Sequence, residues 1–259
     1  TAAVGRKPCP SKTPDLRRRG GPYRVAALLA LLTCGAALPG VGGDDRRVAI
    51  DSGVMPWAAL MRLQVPGAVR CTAFLVDPQT AVTAAHCLYI RRLGHFAPAG
   101  SVHLLLGYDH GGFVKHQVAT SYVIASGYDP GAGPSAGTRD VAIVRLPQPM
   151  ALTSRTLPLV DTPLPLGTPL MLGGYGQDRA EAVLADQACT LQGYAGRGAV
   201  AMLVHDCEGT HGTSGAPVLA RDAAGTWRVA GVQSTGRRDG AGGTAIPADA
   251  LHPLLEGHQ

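Results

Sequence analysis

Apolar residues beyond position 47 stand in short runs that turn residues separate at close intervals. Runs of this kind, bounded by Gly, Pro and Asp, predict β-strands. The predicted strands are 57–65, 71–76, 81–84, 101–107, 114–125, 141–146, 168–174, 184–194, 199–205, 216–220, 227–234 and 243–246. Many short strands in succession indicate an all-β barrel or sandwich.

Two segments depart from the strand pattern. Ala248 to Leu255, with Pro247 near its start, is predicted to be a short C-terminal helix. Residues 127–137 (GYDPGAGPSAG) have the composition of a flexible surface loop. The 259 residues include 35 Gly and 20 Pro and are 46% hydrophobic, which fits one globular unit of one or two subdomains.

The first 37 residues are predicted to be an export signal. Residues 17–19 and Arg24 form a basic region, residues 25–32 (VAALLALL) are apolar, and residues 35–37 are small, which predicts cleavage after Ala37. The apolar run is short and soon broken, so no stable membrane span is expected. Twin-arginine export, a lipoprotein-type cleavage and a disordered basic tail are the weaker alternatives.

Residues 38–47 (LPGVGGDDRR) are interpreted as a linker or short propeptide. Charge divides at the same point. Residues 1–47 hold nine Lys and Arg against three Asp, a net +6, so the chain total of +5 leaves −1 for residues 48–259. The basic character belongs to the leader, and the remaining body predicts no nucleic-acid partner.

Four cysteines remain once the leader is removed: Cys71, Cys87, Cys189 and Cys207. An even number in an exported protein predicts two disulfides. Three pairings are possible, and local pairing (Cys71 with Cys87, Cys189 with Cys207) is the simplest. No C-x-x-C pair occurs, which disfavours a metal site, and no cofactor motif such as G-x-x-x-x-G-K-[ST] is present.

Three motifs predict nucleophilic chemistry. TAAHC places His86 at the end of an apolar strand, DVAIVRL places Asp140 at the head of another, and GTSGAPV holds Ser214 beside glycines. A serine nucleophile needs a base, the base needs a carboxylate on its second ring nitrogen, and glycines leave backbone N–H groups free for an oxyanion. Each motif taken singly has a structural alternative: His86 as a core histidine, Asp140 as a strand cap and Ser214 as part of an ordinary turn.

The ordered set of motifs resembles the trypsin-like (chymotrypsin-fold) serine peptidases. TAAHC is identical with that family's histidine motif, and DVAIVRL and GTSGAPV are similar to its aspartate and serine motifs. Residues 172–176 (LGGYG) are similar to a turn of its second barrel, and residues 231–236 (GVQSTG) to the strand that lines its substrate cleft. The resemblance covers roughly residues 48–256.

The resemblance implies two six-stranded antiparallel β-barrels, residues 48–150 and 151–259, with a short C-terminal helix. It implies that His86 is the general base, Asp140 its orienting carboxylate and Ser214 the nucleophile. The N–H groups of Gly212 and Ser214 would form the oxyanion hole, and Cys71–Cys87 is similar to the family's disulfide beside the histidine.

The implied function is a monomeric serine endopeptidase, secreted or periplasmic, that hydrolyses protein or peptide substrates through an acyl-enzyme. The alternative is a catalytically inactive trypsin-like scaffold that acts as a binding protein. An esterase of the α/β-hydrolase fold requires G-x-S-x-G and the order Ser, acid, His, neither of which is present.

The sequence departs from the animal digestive branch at the residue before the serine. Thr213 stands where that branch has an Asp that pairs with a new N-terminus, and Arg47 to Ile50 is a weak match to its activation site. The serine region is nearer the bacterial glutamyl-endopeptidase-like branch, as is Asp206-Cys207. That branch uses a histidine where this chain has Gln233, so acidic specificity does not follow.

Four residues are assigned to the substrate pocket: Glu208, Gln233, Ser234 and Gly236. Glu208 lies six positions before Ser214, where a trypsin-type pocket acid falls in a gapless match, and there it would pair with Arg or Lys of a substrate. A solvated loop carboxylate is the competing interpretation. Small residues around Glu208 indicate an accessible cleft without naming its preferred side chain.

Overall fold

The computed structural model describes residues 45–196, 201–236 and 242–256, with the side chains of residues 134–136 left out. The predicted leader, residues 1–37, lies outside the described residues, as does most of the predicted linker. No helix in the described ranges is both long and apolar enough to cross a membrane.

The described chain forms β-strands joined by turns and short 3₁₀ segments, with one α-helix. In chain order the strands are β1 (Val48–Ala49), β2 (Leu60–Val65), β3 (Val69–Asp77), β4 (Thr80–Thr83), β5 (Tyr89–Ile90), β6 (His95–Phe96), β7 (His103–Leu106), β8 (Lys115–Val118), β9 (Ser121–Ile124), β10 (Ala142–Arg145), β11 (Pro169–Gly174), β12 (Leu184–Ala195), β13 (Met202–His205), β14 (Pro217–Arg221), β15 (Trp227–Gly236) and β16 (Gly243–Pro247). Helix α1 (His252–Glu256) follows a 3₁₀ turn over Ala248–Leu251. The predicted C-terminal helix is confirmed.

Two antiparallel sheets contain most of these strands. The first has the order β8-β7-β2-β3-β4-β10-β9. It curls but stays open, because its outer strands β8 and β9 do not pair with each other in the described chain. The second has the order β1-β12-β11-β14-β15-β16-β13, and an additional pairing of β12 with β13 closes six of its strands into a barrel. The all-β, chymotrypsin-like fold class is therefore confirmed, with an open first half and a closed second half.

Some predicted strands differ from the observed ones in their detail. The run 114–125 is two strands, because Ala119 donates its N–H to Val102 while Thr120 donates to Arg145, so the chain changes partner strand between them. Trp57–Ala59 forms a 3₁₀ turn before β2 instead of strand. Strands β1, β5 and β6 have two residues each, too few to give a pattern in the sequence.

Three apolar clusters explain why many runs are continuous and not alternating. In β2, Met61 and Leu63 pack inside the first sheet, whereas Leu60 faces a second cluster. That second cluster joins residues of both sheets, among them Phe74 from the first sheet and Val229 from the second. A third cluster fills the closed barrel. A strand buried on both faces has no polar side, so period-two alternation disappears.

Two disulfides are present, Cys71–Cys87 and Cys189–Cys207. Of the three possible pairings, these are the local ones that the sequence analysis named as the simplest. The first joins β3 to the 3₁₀ turn that follows β4, and the second joins β12 to the residues after β13. The first therefore ties the turn after β4, and the second ties the loop after β13, to a strand of the same sheet.

Candidate active site

His86 and Asp140 meet because their strands are neighbours. His86 lies in the 3₁₀ turn Ala85–Leu88 directly after β4, and Asp140 lies two residues before β10. Strands β4 and β10 pair in antiparallel register, with Thr83 opposite Ala142. His86 donates its backbone N–H to Asp140 Oδ1 at 2.9 Å, and its ring Nδ1 lies 2.8 Å from Asp140 Oδ2.

The carboxylate of Asp140 is enclosed and accepts several hydrogen bonds. It is 5% exposed, and the hydroxyl of Ser234 donates to Oδ2 at 2.6 Å. A carboxylate only accepts, so His86 Nδ1 carries a proton, and in the neutral imidazole Nε2 has the lone pair. The imidazole is 28% exposed, which leaves Nε2 open to a reacting group.

Two contacts of Asp140 were missed from the sequence. Ser234 was predicted in the substrate pocket, whereas its hydroxyl holds the Asp140 carboxylate. Tyr128, in the loop predicted to be flexible, lies near the same carboxylate: burial, and then the charge of Asp140, raises the pKa of its phenol. Neither contact could be predicted from the spacing of these residues along the chain.

Ser214 lies in the turn between β13 and β14, and a glycine shapes that turn. Gly215 has a φ of +81°, and a Cβ there would collide with the carbonyl oxygen of Thr72 and the hydroxyl of Thr83. The carbonyl of Ser214 accepts the N–H of Thr72 at 2.9 Å. Because Thr72 follows Cys71, whose disulfide partner is next to His86, the serine turn is brought beside the histidine.

The serine turn is also fixed to β15 of the barrel. Gly215 donates its N–H to the carbonyl of Gln233 at 2.7 Å, and Gln233 donates back to Ala216 at 2.8 Å. The residue after Gln233 is Ser234, which bonds Asp140. One strand therefore supports both the serine turn and the carboxylate.

Two backbone donors of the turn have no acceptor in the described part of the protein. The N–H groups of Thr213 and Gly215 are bonded to the carbonyls of Thr210 and Gln233, whereas those of Gly212 and Ser214 have no recorded partner. Unpaired donors that flank a hydroxyl can stabilise a negative oxygen as it develops.

Gly212 has a φ of +95°, and a Cβ there would collide with the carbonyl oxygen of Tyr175. Only glycine adopts this backbone without strain. Within the described ranges, no hydrogen bond joins the Ser214 hydroxyl to His86. Such bonds are often long in unliganded enzymes and shorten when substrate binds.

The carboxylate of Glu208 is buried and has partners within the protein. It is 4% exposed, accepts the backbone N–H of Arg46 at 2.6 Å and lies 3.5 Å from the Arg46 guanidinium. Burial raises the pKa of Glu208, and the contacts with Arg46 oppose that rise. This contact could not be predicted from the sequence, because Arg46 lies 162 positions away from Glu208.

The side chain of Gln233 is buried and both of its polar atoms have partners. Its oxygen accepts from His205 Nε2 at 2.7 Å, and its nitrogen donates to the carbonyl of Thr235 at 3.2 Å. His205 is itself 1% exposed, its Nδ1 accepts the N–H of Cys207, and burial lowers its pKa. This pair is therefore neutral.

Gly236 faces the loop that contains Glu208. A Cβ on Gly236 would lie 4.0 Å from the carbonyl oxygen of Gly209, with no other described atom closer. The two glycines therefore bring the end of β15 and the loop of Glu208 within van der Waals reach of each other.

One group of potential metal ligands occurs among the described residues. Atoms of Cys71, His86 and Cys87 lie within 4.8 Å of one another. The two sulfurs are bonded to each other in a disulfide and so cannot act as thiolate ligands.

A closed barrel beside a curled antiparallel sheet, with a His–Asp pair from one and a glycine-flanked serine from the other, defines the chymotrypsin fold. The family model described as Trypsin matches residues 47–254, and the chain belongs to that family. The resemblance stated from the motifs is confirmed.

Individual relatives agree with the family. A glutamyl endopeptidase of Bacillus licheniformis is 28% identical over 143 residues, which are 54% of this chain and 42% of that protein. The chain thus matches less than half of the length of that relative. A solved structure titled Glu endopeptidase in complex with MPD has a TM-score of 0.68 at 20% identity, over 84% of this chain and 98% of that one. The VesB protease of Vibrio cholerae has a TM-score of 0.65 at 20% identity, over 82% and 66%.

Proposed function

We propose that the chain is an exported serine endopeptidase in which Ser214, His86 and Asp140 form a catalytic triad. The observation that carries the proposal is the His86–Asp140 pair at 2.8 Å beside a serine turn with two unpaired backbone N–H groups. A histidine so oriented is a general base, and the free donors are an oxyanion site. Membership of the trypsin family supports the same reaction class.

The proposed reaction proceeds in two half-steps. Ser214 Oγ attacks the scissile carbonyl while His86 Nε2 takes its proton, and the carbonyl oxygen becomes an oxyanion bound by the N–H groups of Gly212 and Ser214. His86 then gives the proton to the leaving amine, and the acyl-enzyme forms. Water, activated by the same nitrogen, releases the acid and restores Ser214. Asp140 keeps the imidazole in the required tautomer throughout.

Two of the relatives are named glutamyl or Glu endopeptidases, but specificity for glutamate is not part of the proposal. Gln233 is neutral, and both of its polar atoms already bond His205 and Thr235. Recognition of an acidic side chain requires a cationic or strongly donating group. Glu208 is equally unsuited to bind Arg or Lys, because Arg46 occupies its carboxylate. The proposal therefore names no preferred substrate side chain.

Export is proposed from two independent features. The leader of residues 1–37 has the charge and apolar pattern of a signal. Two disulfides in the described fold favour an oxidising compartment. Both features are met by a secreted or a periplasmic protein.

The test is labelling of the secreted protein with a fluorophosphonate, followed by peptide mass spectrometry. The proposal expects the label on Ser214, slowed strongly in His86→Ala and absent in Ser214→Ala. His116→Ala is a matched control, since this exposed histidine lies on β8 away from the site and should leave labelling unchanged. A folded, disulfide-bonded protein that takes no label, either before or after limited proteolysis near Arg47, would instead support an inactive binding scaffold.

A further inference from the structure

A cluster of buried charges joins the segment before β1 to the loop that contains Ser214. The side chain of Arg47 is 2% exposed. It donates to Asp178 at 2.6 Å, to Asp45 at 2.9 Å and to the hydroxyl of Thr210 at 3.3 Å. Burial alone lowers the pKa of Arg47, but the two carboxylates raise it above its ordinary value. Arg47 is therefore a permanent cation inside the fold.

The contacts of Arg47 continue to the predicted oxyanion site. Thr210 donates its hydroxyl to Asp178 Oδ1 at 2.6 Å, and Gln177 donates its N–H to the carbonyl of His211 at 2.6 Å. Two consecutive residues of the loop are thus bonded to the segment that holds Asp178. The next residue is Gly212, whose N–H is one of the two unpaired donors. The orientation of that donor depends on this anchoring.

A glycine makes room for the cluster. A Cβ on Gly176 would lie 2.5 Å from the Thr210 hydroxyl, 2.6 Å from Asp178 Oδ1 and 3.2 Å from the Arg47 guanidinium. Real side chains do not approach so closely. The backbone at Gly176 therefore packs directly against the charges, so the cluster is a close-packed part of the fold.

Arg46 forms a second set of contacts, which reach the beginning of the same loop and the neighbouring strand β12. Its backbone N–H donates to Glu208 at 2.6 Å, and its guanidinium donates to Asp186 at 2.8 Å and to the carbonyl of Asp206 at 2.7 Å. Asp186 is 0% exposed and also accepts the N–H of Glu208. Without Arg46, two buried carboxylates would face each other with no cation between them.

We propose, on the basis of the peptidase function above, that Arg46 and Arg47 are positioning residues of the active enzyme. Arg47 acts through Thr210 on the oxyanion donor of Gly212. Arg46 acts through Glu208 on the wall of the substrate cleft. The arginines therefore belong to the working protein and are not the discarded end of a propeptide.

A consequence for regulation follows from the place of these residues. If the segment that ends at Arg47 dissociates after cleavage of the Arg47–Val48 bond, three acidic groups, Asp178, Asp186 and Glu208, lose their arginine partners. Removing one partner of a buried ion pair is strongly destabilising. Proteolysis at the Arg47–Val48 bond should inactivate this protein, whereas in the digestive branch cleavage at the corresponding site activates.

The first experiment separates positioning from simple stabilisation by steady-state kinetics on active-site-titrated protein. Arg47→Ala should lower kcat at least tenfold with little change in KM, less than the 10²–10³ typical of losing an oxyanion donor outright. Arg46→Ala should mainly raise KM. Arg47→Lys should recover part of kcat, because lysine keeps the charge without the planar fork of guanidinium.

The matched control is Arg228→Ala in the same barrel. Arg228 bonds Asp222 at 2.7 Å and lies 3.7 Å from Asp161, away from the serine loop. Its loss should lower the melting temperature while kcat and KM per active site stay unchanged. If Arg47→Ala behaves in the same way as Arg228→Ala, Arg47 is merely structural and the proposal is overturned.

The second experiment treats the full-length protein with trypsin under native conditions and follows fluorophosphonate labelling. The proposal expects labelling before treatment, no cleavage after Arg46 or Arg47 while the fold is intact, and loss of labelling once cleavage there is forced by mild denaturant. Labelling that appears only after cleavage at Arg47 would overturn the inference and leave the peptidase function standing. No labelling in either state would overturn both.

Discussion

The two sides of the site are built differently. The histidine side, residues 83–88 and 140–145, rests on paired strands and on fully buried neighbours such as Ala84 and Val141. The serine side, residues 206–216, contains no strand and depends on single contacts with distant residues, among them Thr72, Gln233 and Arg46. The histidine side gains its geometry from regular structure. The serine side gains it from a few polar contacts, which backbone groups of distant residues and the side chains of Glu208 and Arg46 provide.

The largest effect is expected on the histidine side, at the carboxylate that orients His86. Asp140→Asn preserves shape but allows the wrong imidazole tautomer, and in serine proteases this change costs about 10⁴ in kcat. We expect a folded protein with an unchanged melting temperature and kcat lower by about that factor. Stopped-assay kinetics on titrated protein measures it. Equal activity of the variant would remove Asp140 from the mechanism.

The two disulfides provide a balanced comparison of the two sides. Their sequence separations are 16 and 18 residues, so the chain-entropy model predicts about 3 kcal/mol of unfolding free energy for each. Urea unfolding of the two double-alanine variants tests this. If the serine side depends more on isolated contacts, the Cys189/Cys207 variant should lose more activity for the same loss of stability. Equal losses of activity would contradict the distinction between the sides.

A smaller effect is expected from the contact that joins the two sides. Ser234→Ala removes the hydroxyl that donates to Asp140 at 2.6 Å. Hydrogen bonds to charged groups contribute about 1.5–3 kcal/mol, so kcat should fall by about ten- to hundredfold while KM changes little. Ser234→Thr, which keeps a hydroxyl, is the matched variant. A normal kcat in Ser234→Ala would show that the backbone N–H of His86 is sufficient to hold the carboxylate.

The smallest effect concerns acid stability of the serine side. Burial raises the pKa of Asp178, but Arg47 and Thr210 lower it to about 2, against 3.8 for the unperturbed group. Because the pKa of the folded state is depressed, this carboxylate stabilises the fold above about pH 4 and loses that contribution as pH falls towards 2. The melting temperatures of the native protein and Asp178→Asn should differ above pH 4 and converge near pH 2. A difference independent of pH would exclude the carboxylate charge as its cause.

The difference between the histidine side and the serine side also explains how much could be predicted from the sequence. Strands near His86 and Asp140 were visible as apolar runs, and the motifs themselves predicted the family and fold class. The roles of Ser234, Glu208 and Arg46 were not visible, because each depends on which distant residue meets it in the fold. Arg46 was assigned to a linker on the composition of its neighbours, yet it bonds two buried carboxylates.

The threonine that bonds the carbonyl of Ser214 has a wider consequence. Thr72, on β3, donates its hydroxyl to the carbonyl of Gly212 and accepts the N–H of Tyr175, both at 2.9 Å, and is 0% exposed. A single side chain of the first sheet therefore holds backbone from two segments of the second. The two halves cannot part by even a few ångströms and keep the serine turn beside His86. Catalysis should therefore disappear in the same cooperative transition as the tertiary structure, with no half-folded active form.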